Sequence, residues 1–489
     1  MEVDALPRMI ARTVVLVVLV LTISSTIADA DLWGNIRYGQ DILIAGRVPD
    51  HDPHSFTSDV PWINHEWLTE FVMALAYDAG GTSGLVMLKV LLACLTLAVL
   101  WRAVRADGVF EPLALGLLLI ATLGASYLFM TIRAQLFSAL LFVVMLSVLN
   151  AAARGRTRLL LWTPFLFCAW ANLHGGWLVG LGVVGLWAGS RLLAGTLAWR
   201  WAISVPVLAL AGTAVNPYGF HLWRFLWGTV GLSRPDIAEW QPLLRTPFLW
   251  LPWAMAAALV VAAWRRRGVP ARVDAVPVVA LGVLALMVAR LEGFFALASV
   301  ILMAPALASV GPRRWPLSRR PTRTEMATVG ILCATALTVA AGHAVRKGGC
   351  IRFGGEGESW APEAEAVLFL KDNPVQGRLL CHFNYGHLAI WHLSPRLRVS
   401  YDGRRETVYS ETVQAAHQRF YRSSTDAGYA KSLRADYVWL PRQLPVIAPL
   451  LRDGWIEVFR GARSVVLARQ AGQFVQPAPW VGPRCFPGP

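Results

Sequence analysis

Long apolar stretches separated by short loops restrict the fold of this chain more than any other feature. An apolar helix of about 20 residues crosses a bilayer, because in hydrocarbon the backbone must satisfy its own polar groups. Only 15% of the residues are charged, against about 25% in soluble domains. We therefore predict a multi-spanning α-helical membrane protein with about eleven transmembrane helices. The predicted spans are 9–28, 82–101, 112–129, 134–152, 159–172, 177–195, 199–215, 248–264, 275–290, 294–310 and 326–343.

The positive charge of the chain lies in loops between the apolar stretches. The net charge is +15, and arginines cluster at 154–158, 265–272 and 313–323. Such clusters set membrane topology, because arginine-rich loops stay in the cytoplasm. No basic face interleaved with aromatic residues is found in the sequence. The charge therefore indicates membrane lipid as a partner, and nucleic acid is not expected.

The arginines also predict which side of the membrane each loop faces. An N-terminus in the cytoplasm puts most loop arginines there, and an odd number of spans then puts the C-terminus outside. Ala28-Asp29-Ala30 resembles a signal-peptidase site, although the stretch from Met9 to Ala28 is long enough to span a bilayer. We favour an uncleaved anchor, and cleavage stays the alternative.

A change of composition after Gly342 predicts the domain organisation. Residues 1–345, including the first outer loop at 29–81, are assigned to a transmembrane domain. Residues 346–472 alternate between strand and helix signals, as in a small extracytoplasmic α/β domain. Residues 473–489 are rich in proline and glycine and are predicted to be disordered. Of Cys350, Cys381 and Cys485, two can form a disulfide bond outside the cytoplasm, but their spacing does not choose the pair.

The first outer loop holds the densest group of acidic and histidine side chains. Asp29 and Asp31 follow directly after the first span. One carboxylate could act as a general base on a hydroxyl, or both could hold a divalent cation such as Mg²⁺ or Mn²⁺. The alternative is a solvated pair that ends the helix at the lipid headgroups.

Two further groups in this loop have both a functional and a structural interpretation. His51, Asp52 and His54 could hold a metal, but a polar turn beside a proline is the favoured interpretation. The loop is predicted to contain two amphipathic segments, Leu32 to Ala45 and Trp67 to Tyr77, of which the second is apolar enough to lie in the membrane interface. His65 and Glu66 lie where this second segment begins. They could bind substrate, or Glu66 could serve the N-terminus of a helix, where the helix dipole favours a carboxylate.

Two arginines lie in short gaps between spans at the predicted outer face. These are Arg133 and Arg290. A guanidinium at this level can bind a lipid phosphate with two parallel hydrogen bonds. The alternatives are an arginine that extends to the headgroups from within the span, and a pair between Arg290 and Glu292.

Two other side chains map to the same face. His174 could donate to a phosphate or a sugar, or it could be a satisfied histidine at a helix end. Glu239 offers an acid beside Trp240, a stacking surface for a sugar. With the loop carboxylates, these residues are predicted to flank one pocket that opens away from the cytoplasm.

Six short motifs follow one another along nearly the whole chain. They are a D-x-D-L-W…HEWL loop (Asp29 to Leu68), R-x-Q-x-F-S (Arg133 to Ser138), N-x-HGG-W (Asn172 to Trp177), NP-x-G (Asn216 to Gly219), EWQP (Glu239 to Pro242) and DGR (Asp402 to Arg404). In these motifs and their order the chain resembles GT-C type glycosyltransferases, close to uncharacterised bacterial members of that superfamily.

The resemblance implies a multi-pass enzyme of the bacterial plasma membrane. It would transfer a hexose or pentose, with inversion, from a polyprenyl-phosphate donor to an extracytoplasmic glycan, lipid or protein. Asp31 or Asp29 would be the base. The other candidates are predicted to bind substrate: His65, Glu66, Arg133, His174, Glu239, Arg290, Asp402 and Arg404. The segment with Asp402 and Arg404 could instead simply end a strand.

Two other functions stay open at this point. A transporter or flippase of lipid-linked sugars would need charged groups at mid-membrane depth on broken helices. The predicted spans hold almost none apart from Lys89, which disfavours transport. The second alternative is a catalytically inactive scaffold with the GT-C fold.

Overall fold

The computed structural model describes residues 5–229, 234, 237–265, 269–308, 322–347, 349–353 and 360–489. The chain forms two compact units. The helical unit is Met1–Thr26 with Val86–Gly349, and the mixed unit is Ile27–Leu85 with Cys350–Pro489. This division differs from the prediction, in which the first outer loop belongs to the transmembrane domain. Six arginines of the predicted cytoplasmic clusters lie outside the described residues: Arg266, Arg267, Arg313, Arg314, Arg319 and Arg320.

Helices dominate the chain. In chain order they are α1 (Ala5–Ser24), α2 (Leu32–Ala45), α3 (Trp67–Ala106), α4 (Glu111–Gly124), α5 (Ser126–Met130), α6 (Gln135–Ala153), α7 (Thr163–Leu173), α8 (Trp177–Leu193), α9 (Trp199–Thr213), α10 (His221–Thr229), α11 (Trp250–Arg265), α12 (Val269–Met287), α13 (Glu292–Ala308), α14 (Arg323–Lys347), α15 (Ala364–Asp372), α16 (Phe383–Leu393), α17 (Glu411–Arg422), α18 (Gly428–Ser432) and α19 (Ile447–Arg452).

Each predicted span overlaps helical structure, although the span 112–129 is divided between α4 and α5. Residues 309 and 310 of the span 294–310 lie outside the described residues. Within the described ranges, six helices are long and apolar enough to cross a bilayer. The prediction of a multi-spanning helical membrane protein is therefore confirmed. The main difference is α3, which begins at Trp67 because the predicted interfacial segment runs into the following span across a kink at Gly81 (φ 56°).

The core of the helical unit surrounds α13. Almost every side chain of this helix is buried, and α4, α6, α11 and α12 pack against it. A helix that is apolar on all sides fits this central position. The buried Lys89 of α3 donates from Nζ to the carbonyls of Ile23 and Ser25 at 2.6 and 2.8 Å. This cation therefore caps the end of α1, where free carbonyls need donors.

A second buried charge in the helical unit is also paired. Arg191 of α8 donates to both carboxylate oxygens of Asp274 of α12, at 2.7 and 2.8 Å. Both side chains are buried, so each one neutralises the charge of the other. Either charge, buried without its partner, would destabilise the fold. The pair joins two helices, which gives these charged side chains a structural role.

The mixed unit is built on a five-stranded sheet with strand order β2-β1-β3-β5-β4. Its strands are β1 (Gly377–Cys381), β2 (Leu397–Val399), β3 (Tyr437–Pro441), β4 (Ile456–Arg460) and β5 (Ser464–Ala468). β1 is parallel to β2 and β3, whereas β5 is antiparallel to β3 and β4. The predicted small α/β domain is therefore confirmed. In such sheets, sites form outside the carboxyl ends of the parallel strands.

The first outer loop is part of this unit. Helix α2 packs against α16, and the backbone N–H of Phe56 donates to the carbonyl of Val399 in β2 at 3.1 Å. The residue range of α2 is the one predicted for the first amphipathic segment. The loop thus extends the α/β domain, through contacts between residues far apart in sequence.

The C-terminal tail differs from the predicted disorder. Cys485 forms a disulfide bond with Cys350 across 135 residues. Phe486 is buried, with its ring 5.1 Å from that of Trp33. Trp33 Nε1 also donates to the carbonyl of Pro487 at 2.7 Å. The covalent link and these aromatic contacts hold a segment whose composition alone predicts no structure.

Candidate functional site

The turn that begins α2 presents Asp31. Its side chain is 41% exposed, and Oδ1 lies 3.1 Å from Nδ1 of His387. Asp29 has a different position, since its Oδ1 accepts the backbone N–H of Asp31 at 2.8 Å. Such a bond fixes a turn, as aspartate side chains often do. The geometry therefore separates the two carboxylates: Asp29 shapes the turn and Asp31 reaches solvent.

His387 lies between two carboxylates. It belongs to α16, which follows β1, and its side chain is only 4% exposed. Nε2 faces Oδ1 of Asp402 at 3.4 Å, an ionic contact longer than a good hydrogen bond. Burial lowers the pKa of His387, but the hydrogen bond to Asp31 and the negative charges of Asp402 and Asp31 outweigh burial and raise the pKa to about 9. The ring is therefore an imidazolium at neutral pH.

Two glycines leave room for this close approach. A Cβ at Gly34 of α2 would lie 2.6 Å from Cδ2 of His387. A Cβ at Gly403 would overlap Oδ1 of Asp31. The glycine of the DGR motif is thus explained by the space that the carboxylate and the imidazole need.

Asp402 and Arg404 of that motif form a buried charge network. Arg404 donates to Asp402 from Nε and Nη2, at 2.9 and 2.7 Å. It also donates to Asp52 from Nη1 and Nη2, at 2.8 and 2.9 Å. Its guanidinium carbon lies 4.7 Å from the ring centre of Tyr38 and 4.8 Å from that of Trp62. Paired carboxylates and aromatic rings thus fix this guanidinium.

The same network controls the charge of Asp402. Burial raises the pKa of this carboxyl, but Arg404 and His387 outweigh burial and hold the pKa well below its usual range. Tyr409 also donates to Oδ2 at 2.7 Å. Asp402 is therefore an anion at neutral pH, and its negative charge faces the imidazolium.

We expect Arg404→Met to destabilise the protein by about 3–5 kcal/mol, because it leaves two buried carboxylates without their cation. Thermal unfolding of the full chain in detergent measures the loss. Arg460→Met is the matched control, since Arg460 pairs with Glu457 at the surface. Equal unfolding temperatures for the two variants would show that the network does not stabilise the fold.

The helical unit contains a second cluster. Arg133 donates from Nη1 and Nη2 to the two carboxylate oxygens of Glu239, at 2.9 and 3.1 Å. Arg290 donates to Oε1 of the same carboxylate at 2.9 Å. One anion therefore lies between two guanidinium groups, which is the environment that a phosphate requires. The predicted alternative pair of Arg290 with Glu292 is replaced by this arrangement.

His174 completes this cluster. Its Nδ1 accepts the backbone N–H of Gly176 at 3.0 Å and lies 2.7 Å from Oγ of Ser138. We therefore assign the ring proton to Nε2. That nitrogen lies 3.4 Å from Nη2 of Arg290. Two donors thus converge on one place, which suits an anionic ligand.

Arginine side chains cover Trp240, the predicted sugar-stacking surface. The guanidinium carbon of Arg234 lies 4.3 Å from the ring centre, and that of Arg290 lies 5.5 Å from it. These are cation–π contacts. They stabilise the arginine cluster and leave less of the ring for a sugar.

The remaining loop candidates have structural partners. His65 Nε2 lies 3.6 Å from Oε1 of Glu66, which directly precedes α3, as the helix-terminus interpretation predicts. The backbone N–H of His54 donates to Asp52 at 2.8 Å, and its Nε2 lies 2.8 Å from Oδ2 of Asp41. These bonds support the polar-turn interpretation.

The divalent cation proposed at Asp29 and Asp31 stays a prediction. Within the ranges that the structure describes, no group of three or more His, Cys, Asp or Glu side chains could hold a metal ion. One oxygen of each carboxylate is already engaged, by a backbone N–H and by His387.

His387 was missed by the sequence analysis. A lone histidine inside a helical pattern carries no motif. The one usable signal was its position after β1, the strand that lies beside β2 and therefore beside the DGR segment.

Solved structures of membrane glycosyltransferases share this fold. Oligosaccharyltransferase from Archaeoglobus fulgidus matches with a TM-score of 0.55 and 12% identity, over 88% of this chain and 68% of that one. ArnT from Cupriavidus metallidurans bound to undecaprenyl phosphate matches with a TM-score of 0.55 and 14% identity, over 94% and 98%. The apo state of ArnT gives a TM-score of 0.57 at 14% identity, over 94% and 97%.

No protein-family model matches the sequence, and no curated protein matches it. At identities this low, the structural likeness establishes the fold. The chain therefore has the GT-C fold that its motifs predicted.

Proposed function

We propose that this protein is a membrane glycosyltransferase that moves a sugar from a polyprenyl-phosphate donor to an acceptor hydroxyl outside the cytoplasm. The observation that carries the proposal is Asp31, a half-exposed carboxylate held by a buried imidazolium in a GT-C fold. A carboxylate in this state can accept a proton from a hydroxyl. A bound undecaprenyl phosphate in the ArnT structure supports the donor class.

The proposed reaction is a single displacement. Asp31 takes the proton of the acceptor hydroxyl, and the acceptor oxygen bonds to the anomeric carbon on the face opposite the phosphate. The bond between that carbon and the phosphate oxygen breaks, and its electron pair leaves with polyprenyl phosphate. The sugar configuration inverts. Because phosphate is an adequate leaving group, the reaction needs no strong general acid.

The arginine cluster suits the departing phosphate. Arg133 and Arg290 already hold one anion, Glu239, through charge-assisted hydrogen bonds. We propose that they and His174 bind the phosphate of the lipid donor and stabilise its growing charge. The predicted common pocket of Asp31 and Arg290 stays a prediction.

Asp31, and not Asp29, is the proposed base. The turn built by Asp29 leaves its Oδ1 occupied by a backbone N–H. The side chain of Asp31, by contrast, is 41% exposed and is held in place by His387.

Glu239 is expected to compete with the lipid phosphate for the two arginines. Glu239→Gln should therefore lower the Kd for undecaprenyl phosphate in detergent by about tenfold, since the competing anion is lost. Glu411→Gln, at an exposed position of α17, serves as control. Weaker binding by Glu239→Gln would mean instead that Glu239 positions the arginines.

The disulfide bond supports an extracytoplasmic mixed unit, because such bonds persist in oxidising compartments. We expect Cys350 and Cys485 to be linked in cells and to react with a membrane-impermeant maleimide only after a reductant is added. Protease mapping of the N-terminus would check its proposed cytoplasmic side. Reaction of both thiols without a reductant would contradict the proposed location.

The function is tested by comparing the masses of intact surface glycans and glycoproteins with and without the gene. We expect one hexose, pentose or deoxysugar to be missing without it. Wild-type protein should restore the sugar and Asp31→Asn should not. Glycan masses that stay unchanged without the gene would contradict the proposal. Restoration of the sugar by Asp31→Asn, as expected of an inactive scaffold, would also contradict it.

A further inference from the structure

A row of alternating charges in the mixed unit ends at Asp31. It runs from Asp52 through Arg404, Asp402 and His387. Exposure falls from 41% at Asp31 to 4% at His387 and 0% at Asp402. Only one end of the row is therefore open to a substrate.

The stability of the fold does not explain the whole row. Asp52, Arg404 and Asp402 join the first loop to the segment after β2, and each charge there has its partner. His387 adds a further buried ionisable group to an already paired network. An apolar side chain of similar size would fill the same space without needing counter-charges.

The ring of His387 is also restricted in its position. Nδ1 faces Asp31 at 3.1 Å and Nε2 faces Asp402 at 3.4 Å. The ring packs edge-on to Tyr38, with 5.7 Å between centroids. Gly34 lies directly beside the ring, which leaves no space for it to shift toward α2. The Nδ1–H group of His387 can therefore approach Asp31 from only one direction.

We propose that His387 is a positioning residue for the transfer described above: anchored by Asp402, it binds Oδ1 of Asp31 and directs Oδ2 toward the acceptor hydroxyl. This inference rests on the proposed function. A carboxylate held by one oxygen keeps the other at a fixed distance and angle. Misplacement of a reacting group by about 1 Å can slow a reaction ~10²-fold.

The protonation of His387 sets the pH range in which this histidine can position Asp31. The groups around the ring are the carboxyls of Asp31, Glu70 and Asp402 and the phenol of Tyr38, and Arg404 pairs with Asp402. Burial raises the pKa of Glu70 to about 8, so this carboxyl is mostly neutral at pH 7. The pKa of His387 is raised from 6.5 to about 9. Its ionic contacts therefore contribute fully to stability below pH 6.5 and are lost as the pH rises through about 9. Positioning of Asp31 should fail over the same upper range.

The test measures kcat, KM and the pH profile of sugar transfer by the full chain in liposomes. We expect His387→Leu to lower kcat by ~10²-fold with KM for the donor unchanged. His387→Gln keeps one donor and should retain more activity. Wild-type kcat should fall above pH 9, whereas the residual activity of His387→Leu should show no such fall.

Two further variants distinguish the loss of positioning by His387 from general effects of a substitution in this helix. Gly34→Ala adds a methyl group that displaces the ring and changes no charge, so it should also lower kcat. His392→Leu, on the same helix, removes a bond to the Pro487 carbonyl and should leave kcat unchanged. Thermal unfolding of each variant identifies those that fail to fold.

The outcomes of these experiments distinguish failure of the positioning role of His387 from failure of the proposed function. Loss of transfer in Asp31→Asn, together with wild-type kcat and pH profile in folded His387→Leu, would overturn the positioning role alone. A uniform loss of activity in folded His387→Leu, with the fall above pH 9 retained, would also overturn it. If the wild-type protein transfers no sugar, the proposed function itself fails.

Discussion

Asp31→Asn is expected to slow sugar transfer by about 10²–10⁴-fold, the usual contribution of a general base. The amide can still accept a hydrogen bond from His387, but it cannot take the proton of the acceptor hydroxyl. The variant should fold, because the side chain is half-exposed and nearly unchanged in shape. The measurement is transfer from a polyprenyl-phosphate sugar by purified protein in liposomes, with initial rates at saturating substrate.

Asp29→Asn is the matched control for this experiment. Its amide oxygen can still accept the backbone N–H of Asp31, so the turn is kept. A small effect is therefore expected. Should Asp29→Asn lose more activity than Asp31→Asn, the base would have been assigned to the wrong carboxylate.

Arg290→Gln is expected to weaken binding of the lipid donor by about 10–100-fold. A hydrogen bond to a charged group contributes about 1.5–3 kcal/mol, and each 1.4 kcal/mol is about tenfold in affinity. Arg290 lies beside both Glu239 and His174, so its loss removes the centre of the cluster. Binding of undecaprenyl phosphate in detergent gives Kd directly.

Arg245→Gln is the control for the arginine experiment. Arg245 lies in the same predicted outer loop as Glu239 and is exposed, with a bond to Gln241. Its loss should leave Kd unchanged. Equal Kd values for Arg290→Gln and wild-type protein would exclude a role for the cluster in binding phosphate.

The membrane helices could be predicted because the bilayer imposes length and composition on every span. The bounds of α2 followed equally well from its amphipathic pattern. The composition of the Trp67 segment did not reveal that its helix continues past Gly81 into the next span. A glycine with φ in the left-handed region permits the kink. In the sequence pattern the same glycine indicates the end of a helix.

The organisation of the site could be predicted only in part. Asp31, Asp402 and Arg404 lie in recognisable motifs, but the contact between loop and C-terminal domain depends on pairs such as Ser55 with Val399, 344 positions apart. Local patterns contain no information on such pairs. For the same reason the partner of Cys350 and the position of His387 between two carboxylates appeared only in three dimensions.

The anomeric configuration of the product tests the central claim most directly. A single displacement with Asp31 as base predicts that every transferred sugar has the configuration opposite to that of the polyprenyl-phosphate donor, with one polyprenyl phosphate released per sugar. Proton NMR of the product, with a stereochemically defined donor, reads the configuration. A product that retains the donor configuration would contradict the account, because it requires a covalent intermediate or another mechanism.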